Sequence, residues 1–402
     1  AGRVLKQTPF HARTAPLCLG QNWRRWAGYL AASSYDLVHD REYHAIRNAA
    51  ALLDVTPLYK YMITGRDAAR LLDRIVTRDV LRMKPGRVAY TTWCDSAGKV
   101  IDDGTVSRLD ENRFRMTAAD PTLRLLHENA VGMQVEIADI SDSTAALALQ
   151  GPNARVVLEQ LTGGDLSGLR YFQVTKATAR TGGGLAAIEI SRTGFTGDLG
   201  YEVWMDAADA LAVWDALIAV GTPYGIVPTG MLALDMARIE AGLMLADVDY
   251  VGAHKALIPA QTSSPFELNL GWTVKLDKEY FNGQHALAEE QARGVAWNFV
   301  GIHVDWDSLE ALYAEVNLPP RLPTAAWRMS VPLYDGEAQV GYCTSGAWSP
   351  LLKQYIALAH VPARFGAPGT KLDFEVTVEH RRKRAACRVT RTPFFDPPRK
   401  KA

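Results

Sequence analysis

Apolar positions recur along this chain with two periods, one helical and one extended. Residues 42–53 combine helical spacing with good helix formers, so the pattern predicts a helix running through Leu53, with His44 an ordinary helix histidine. Residues 61–65 read as a strand, and Asp67 is placed to cap a helix over 68–76. Over 86–109 the order is strand, Asp95-Ser96-Ala97-Gly98 turn, strand, which predicts a hairpin with Asp102 and Asp103 just past the turn. Strands follow at 145–149 and 185–190, with Gly182-Gly183-Gly184 as a hairpin turn, and 207–220 and 231–242 read as helices. Residues 244–270 form a loop too long for a plain connection, which points to function; 271–275 then reads as a strand. From residue 295 the chain turns strand-rich, with 371–378 and 385–390 as paired strands and 397–401 as a solvated tail.

A length of 402 residues implies two or three domains at about 150 residues each. Lys+Arg and Asp+Glu both number 44, leaving no net charge to attract nucleic acid or an anionic membrane. No apolar run approaches the roughly 20 residues that span a bilayer. The first six residues carry no apolar segment behind their basic groups, and Cys18, Cys94, Cys343 and Cys387 lack paired spacing; a reducing cytoplasm fits best. Phosphate-binding glycine motifs are absent, and the nine histidines lack ligand spacing, so no metal is expected.

Two features carry candidate chemistry. Neighbouring strand residues point to opposite faces, so only one of Asp102 and Asp103 faces a buried pocket while the other meets solvent or a cap. The first forty residues interleave Trp23, Trp26, Tyr29 and Tyr35 with Arg24 and Arg25, as a wrapped arm or a pocket wall.

Five segments in one order add a family resemblance. They are Tyr90 followed by Gly98-Lys99-Val100-Ile101-Asp102-Asp103; Leu149-Gln150-Gly151-Pro152-Asn153-Ala154; Arg192-Thr193-Gly194-Phe195-Thr196-Gly197-Asp198-Leu199-Gly200-Tyr201-Glu202; Gly271-Trp272-Thr273-Val274-Lys275; and Gly341-Tyr342-Cys343-Thr344-Ser345-Gly346. Together they resemble the aminomethyltransferase family, which includes the glycine cleavage T-protein and tetrahydrofolate-dependent O-demethylases. The resemblance implies a three-domain, cloverleaf-like α+β fold with a C-terminal β-rich barrel and tetrahydrofolate in a central hole. On that pattern 1–54 and 138–270 form the folate-binding domain, 55–137 the domain with the Asp-Asp hairpin, 271–294 a connector and 295–402 the barrel domain. Asp103 matches the catalytic aspartate, Tyr90 a tyrosine near the pterin, Phe195 a stacking position and Glu202 the glutamate on the pterin's amino-pyrimidine edge, where a carboxylate accepts two adjacent N–H donors.

Departures shape the expected activity. Phe195 stands for the usual tyrosine, Leu234 for a functional arginine, and Met116-Thr117-Ala118-Ala119-Asp120 lacks an expected Asn-Ala pair. These losses favour a tetrahydrofolate-dependent methyltransferase that demethylates a methoxy-aromatic acid of the vanillate or dicamba type, with a small-molecule methyl donor. Tyr250 and His254 are candidate catalytic donors to the departing phenoxide. Trp23, Trp26, Tyr29, Trp93, Tyr250, His254 and Lys255 are candidate substrate contacts, and Lys255, Arg24 or Arg25 could hold the carboxylate. The alternatives are a glycine cleavage T-protein with a lipoylated carrier partner, a demethylase of an N- or S-methyl compound, and a folate-binding iron-sulfur assembly protein. The last is weakened by Glu279-Tyr280-Phe281-Asn282-Gly283-Gln284-His285, which lacks that group's cysteine.

Overall fold

A computed structural model describes residues 5–402, so residues 1–4 of the segment read above for a leader lie outside the described residues. The architecture is α+β, with two large sheets, a two-stranded hairpin of Trp23–Trp26 and Tyr29–Ala32, and a closed barrel. The first sheet runs Val174–Thr181, Gly184–Ser191, Gly200–Asp206, Thr144–Gln150, Ala50–Asp54, Ile226–Pro228, antiparallel except for its last pair. The second runs Arg87–Cys94, Val100–Asp110, Arg113–Ala118, Tyr59–Thr64, Glu136–Asp139, antiparallel throughout. The barrel closes Trp297–Val304, Gln354–Pro362, Ala338–Ser349, Val331–Asp335, Lys371–Val378 and Arg381–Thr390 into a ring, as expected for the C-terminal part. No helix is long and apolar enough to cross a membrane among the described residues.

Four local expectations need correction. The helix Asp40–Asn48 stops before Ala50–Asp54, which is an inner strand of the first sheet; pairing with Thr144–Gln150 on one side and Ile226–Pro228 on the other overrides the helical spacing of 42–53. Residues 271–275 are not a strand: Gly271–Thr273 is a 3-10 turn held by Thr273 Oγ1 donating to the Leu270 carbonyl at 2.7 Å. The helix Trp306–Ala314 interrupts the strand-rich region, started by the Asp305 side chain accepting from Ser308 N–H. The C-terminal tail is docked rather than solvated, because Arg399 ion-pairs with buried Asp198 at 2.6 Å.

The apolar core is distributed among the three sheet systems, with a further central cluster joining them. That cluster takes Tyr250 from the 244–270 loop, Leu234 from the helix Met231–Glu240, and Ala347, Ile356 and Leu358 from the barrel. Tyr90, Trp26, Phe195 and Ala326 pack on it as partly buried residues. Elements from every part of the chain therefore meet around the Asp103 side of the hairpin.

Candidate active site

Strand register sets the two aspartates apart. In the hairpin, Thr92 pairs with Asp103 and Trp93 with Asp102, so Asp103 shares a face with Tyr90 while Asp102 shares one with Trp93. Gly104 lets the strands close: a Cβ there would run into the Thr117 carbonyl. Asp102 is 1% exposed and caps backbone, accepting from Asp103 N–H at 2.8 Å and Asp120 N–H at 2.9 Å. Burial, then the neighbouring Asp103 charge, pushes its carboxyl well above the ordinary carboxylate range.

Asp103 is gripped by two phenols. Tyr90 donates to Oδ2 at 2.8 Å and Tyr250 donates to Oδ1. Burial raises the Asp103 carboxyl above its usual range, and the Tyr250 and Tyr90 hydrogen bonds pull it partly back. Both phenols are themselves pushed well above the tyrosine range by burial and then by the Asp103 charge, so each stays a donor. The arrangement is a half-buried carboxyl whose proton affinity is tuned by two neutral donors, the kind of group that moves protons in a site.

Tyr250 reaches Asp103 because the barrel holds its neighbour. Asp249 is 1% exposed; Thr344 donates to it at 2.6 Å and Ser345 at 2.7 Å, both to Oδ1, while Arg238 Nη1 donates to Oδ2 at 2.6 Å. Successive strand residues normally point apart, and the register shift between Cys343 and Ser345 is what turns both hydroxyls to one carboxylate. The ring of His360 meets the Asp249 carbonyl at 2.5 Å. Sequence reading quoted the Gly341–Gly346 stretch without a role for it; the bulge leaves no spacing signal.

Glu202 sits on the first sheet, where Thr193 Oγ1 donates to its Oε2 at 2.5 Å. Burial raises its carboxyl, opposed by the Thr193 hydrogen bond and the Arg115 charge. The loop that carries Phe195 and leads into Glu202 is built around Gln150, whose amide donates to the Thr193 and Tyr201 carbonyls at 3.3 and 3.2 Å. A Cβ at Gly200 would overlap that Gln150 side chain. Arg115, missed by sequence reading, lies 4.1 Å over the Trp204 ring and pairs with Glu189.

The other expected contacts disperse. Trp26 joins the central cluster, but Trp23 packs beside Cys18, Ala32 and Tyr35, and Tyr29 donates to Asp142. Trp93 is 1% exposed inside the second sheet's core. His254 and Lys255 are surface groups around Asp120, at 3.4 and 2.5 Å, and Lys255 also meets Asp247 at 2.6 Å. Asp120 is the residue whose N–H caps Asp102, so this pair stands by Asp102 and makes no hydrogen bond to Asp103. An aromatic wall appears instead at Trp272, stacked on Tyr90 at 6.0 Å and 26° with Arg78 over it at 5.4 Å. Among the described residues no cluster of three metal-ligating side chains occurs.

Comparisons with known proteins agree with this fold. The chain matches the family models for the GCVT N-terminal domain over residues 10–278 and the glycine cleavage T-protein C-terminal barrel domain over 317–396. It is 34% identical to an aminomethyltransferase of Moorella thermoacetica across 98% of this chain and 99% of that one. It is 33% identical to another from Symbiobacterium thermophilum across 99% of both. Its fold matches the crystal structure of glycine cleavage system aminomethyltransferase T from Bartonella henselae, with a TM-score of 0.81 and 24% identity over 98% of each chain. The chain thus belongs to the aminomethyltransferase (glycine cleavage T-protein) family of tetrahydrofolate-dependent enzymes.

Proposed function

We propose that the protein transfers a one-carbon unit from an aminomethyl group, carried by a lipoylated partner protein, to tetrahydrofolate. The observation that carries the chemistry is Asp103 between Tyr90 and Tyr250. The donor assignment is supported by relatives named aminomethyltransferase that align over nearly the whole chain at 33–34% identity. It therefore displaces the methoxy-aromatic acid as the leading donor.

The residues fit tetrahydrofolate. Glu202 has one oxygen bound by Thr193 and is suited to accept paired N–H donors from an amino-pyrimidine edge. Tyr90 and Trp272 offer aromatic faces next to Asp103. When bound, tetrahydrofolate supplies the N5 and N10 amines that accept the one-carbon unit. Asp103 orients these amines and holds or releases the proton that their substitution displaces, while the central apolar cluster keeps water from the transfer. Free buried cysteines at 18, 94, 343 and 387 suit a reducing cytoplasm.

A second reading is supported by one feature. Leu234, 7% exposed in the central cluster, leaves an apolar surface where the resemblance expects an arginine, which suits methyl transfer from a methoxy-aromatic acid. Mass spectrometry separates the two. Aminomethyl-loaded carrier plus tetrahydrofolate should give 5,10-methylenetetrahydrofolate with ammonia and reduced lipoyl carrier. Appearance of 5-methyltetrahydrofolate with a phenol from vanillate, and no product from the carrier, would overturn the first reading in favour of the second.

A further inference from the structure

Two arginines at the edge of the central cluster share too little negative charge. The N-terminal hairpin pairs Trp23–Trp26 with Tyr29–Ala32, and strand alternation puts Arg24 on the same face as Trp26, which packs on the cluster holding Tyr250 and Leu234. Arg25 lies on the other face and is exposed. Arg328 approaches from the stretch between the barrel strands Trp297–Val304 and Val331–Asp335, two residues after Ala326, which packs on the same cluster. Its Nε donates to Asp235 Oδ2 at 2.6 Å.

Asp235 is already engaged by Arg238 at 2.7 Å, and Arg238 also takes Asp249 at 2.6 Å. Three guanidiniums thus face two carboxylates. Arg24 is the one left over: among the described residues its hydrogen bond is to Ser33 Oγ at a long 3.4 Å, and no carboxylate lies in ion-pair range. Burial, then the Arg328 charge, makes the Arg24 cation less favourable than usual. The terminal nitrogens of both arginines have no partner among the described residues, and neither arginine has a fully buried unpaired nitrogen, so the forks are open to a ligand. A half-buried excess of positive charge with open forks matches a planar anion, because a guanidinium binds a carboxylate through two parallel N–H bonds.

We propose that Arg24 and Arg328 hold a ligand carboxylate beside the active site. The inference rests on the folate-dependent reading above and adds the ligand chemistry of its outer edge. The carboxylate comes either from the glutamate tail of tetrahydrofolate or from an acidic one-carbon donor. Of the cations considered from sequence, Lys255 is excluded by its two carboxylate partners and Arg25 by its face, while Arg328 was not considered.

Calorimetric titration of the full chain distinguishes the sources, with Arg24→Gln and Arg328→Gln compared to the parent. The probes are tetrahydrofolate, 6-methyltetrahydropterin, which keeps the ring without the tail, vanillate, and its neutral amide. A tail carboxylate predicts that Arg24→Gln weakens tetrahydrofolate about 10- to 100-fold and leaves methyltetrahydropterin unchanged. A donor carboxylate predicts the same loss for vanillate alone, with vanillamide and tetrahydrofolate unchanged. Arg328→Gln leaves Asp235 with Arg238 only and is checked by thermal melting; Arg24→Gln gives up one long hydrogen bond, so its melting temperature should hold or rise. Affinities that stay within twofold for all four probes in both variants would overturn the proposal. A parent that fails to bind tetrahydrofolate would overturn the folate reading itself, which is seen before any variant is tested.

Discussion

Asp103 keeps its carboxyl in a place that penalises charge, and its two phenols limit the penalty. The folded-state proton affinity is raised, so this group stabilises the fold below the ordinary carboxylate range, near pH 4, and loses that contribution as pH rises through its folded value. In its ionised form the side chain is a structural liability. Asp103→Asn should therefore melt at the same temperature as the parent or higher, while kcat falls at least about 100-fold, as measured by product formation. Removing one phenol tests the tuning separately. The Tyr250 hydroxyl lowers the Asp103 proton affinity, so Tyr250→Phe should raise it and move the acid limb of the pH–rate profile to higher pH. An unmoved limb would show that Asp103 ionisation does not govern the rate.

Single elements place these residues. The bulge in the barrel strand Ala338–Ser349 turns Thr344 and Ser345 onto Asp249, one residue before Tyr250. Replacing both hydroxyls, Thr344→Val with Ser345→Ala, should lower kcat about tenfold by loosening Tyr250 and leave tetrahydrofolate affinity within twofold. Stopped-turnover assays and titration read the two quantities. Equal loss of both would mean that the bulge shapes the binding site as a whole. The 244–270 loop was legible as functional from its length, and the Asp-Asp hairpin from its turn. What the bulge does was not legible, because one extra strand residue looks like any other in a period-two pattern.

At the scale of the molecule, separate parts are tied by buried ions. Arg47 is 2% exposed and ion-pairs Glu240 at 2.5 Å and Asp198 at 3.3 Å, joining the helix Asp40–Asn48 to the helix Met231–Glu240 and the Gly197–Gly200 turn. Ser349 of the barrel donates to the same Glu240 at 2.6 Å, and Arg399 of the tail adds to Asp198. Arg47→Met leaves buried Glu240 with no cation and Asp198 with Arg399 alone, and should cost about 3–5 kcal/mol in urea unfolding. Arg399→Ala should cost far less, since its side chain is 40% exposed and screened.

The sequence by itself carried the α+β class through its family resemblance, and it determined the hairpin with Asp103, several strands and the ordered motifs, because those depend on local periodicity, turn residues and short fixed spacings. It also carried Tyr90 and Tyr250 as candidates. Only the tertiary structure decided that both phenols meet one carboxyl, that 50–54 leaves its helix to become an inner strand, and that the tail docks. It likewise separated Trp26 from Trp23, Tyr29 and Trp93, and brought Arg328 to Arg24. Those outcomes join residues far apart in the chain, where the winning term is sheet pairing, shared burial or charge partnership, and no window of neighbouring residues contains the partners.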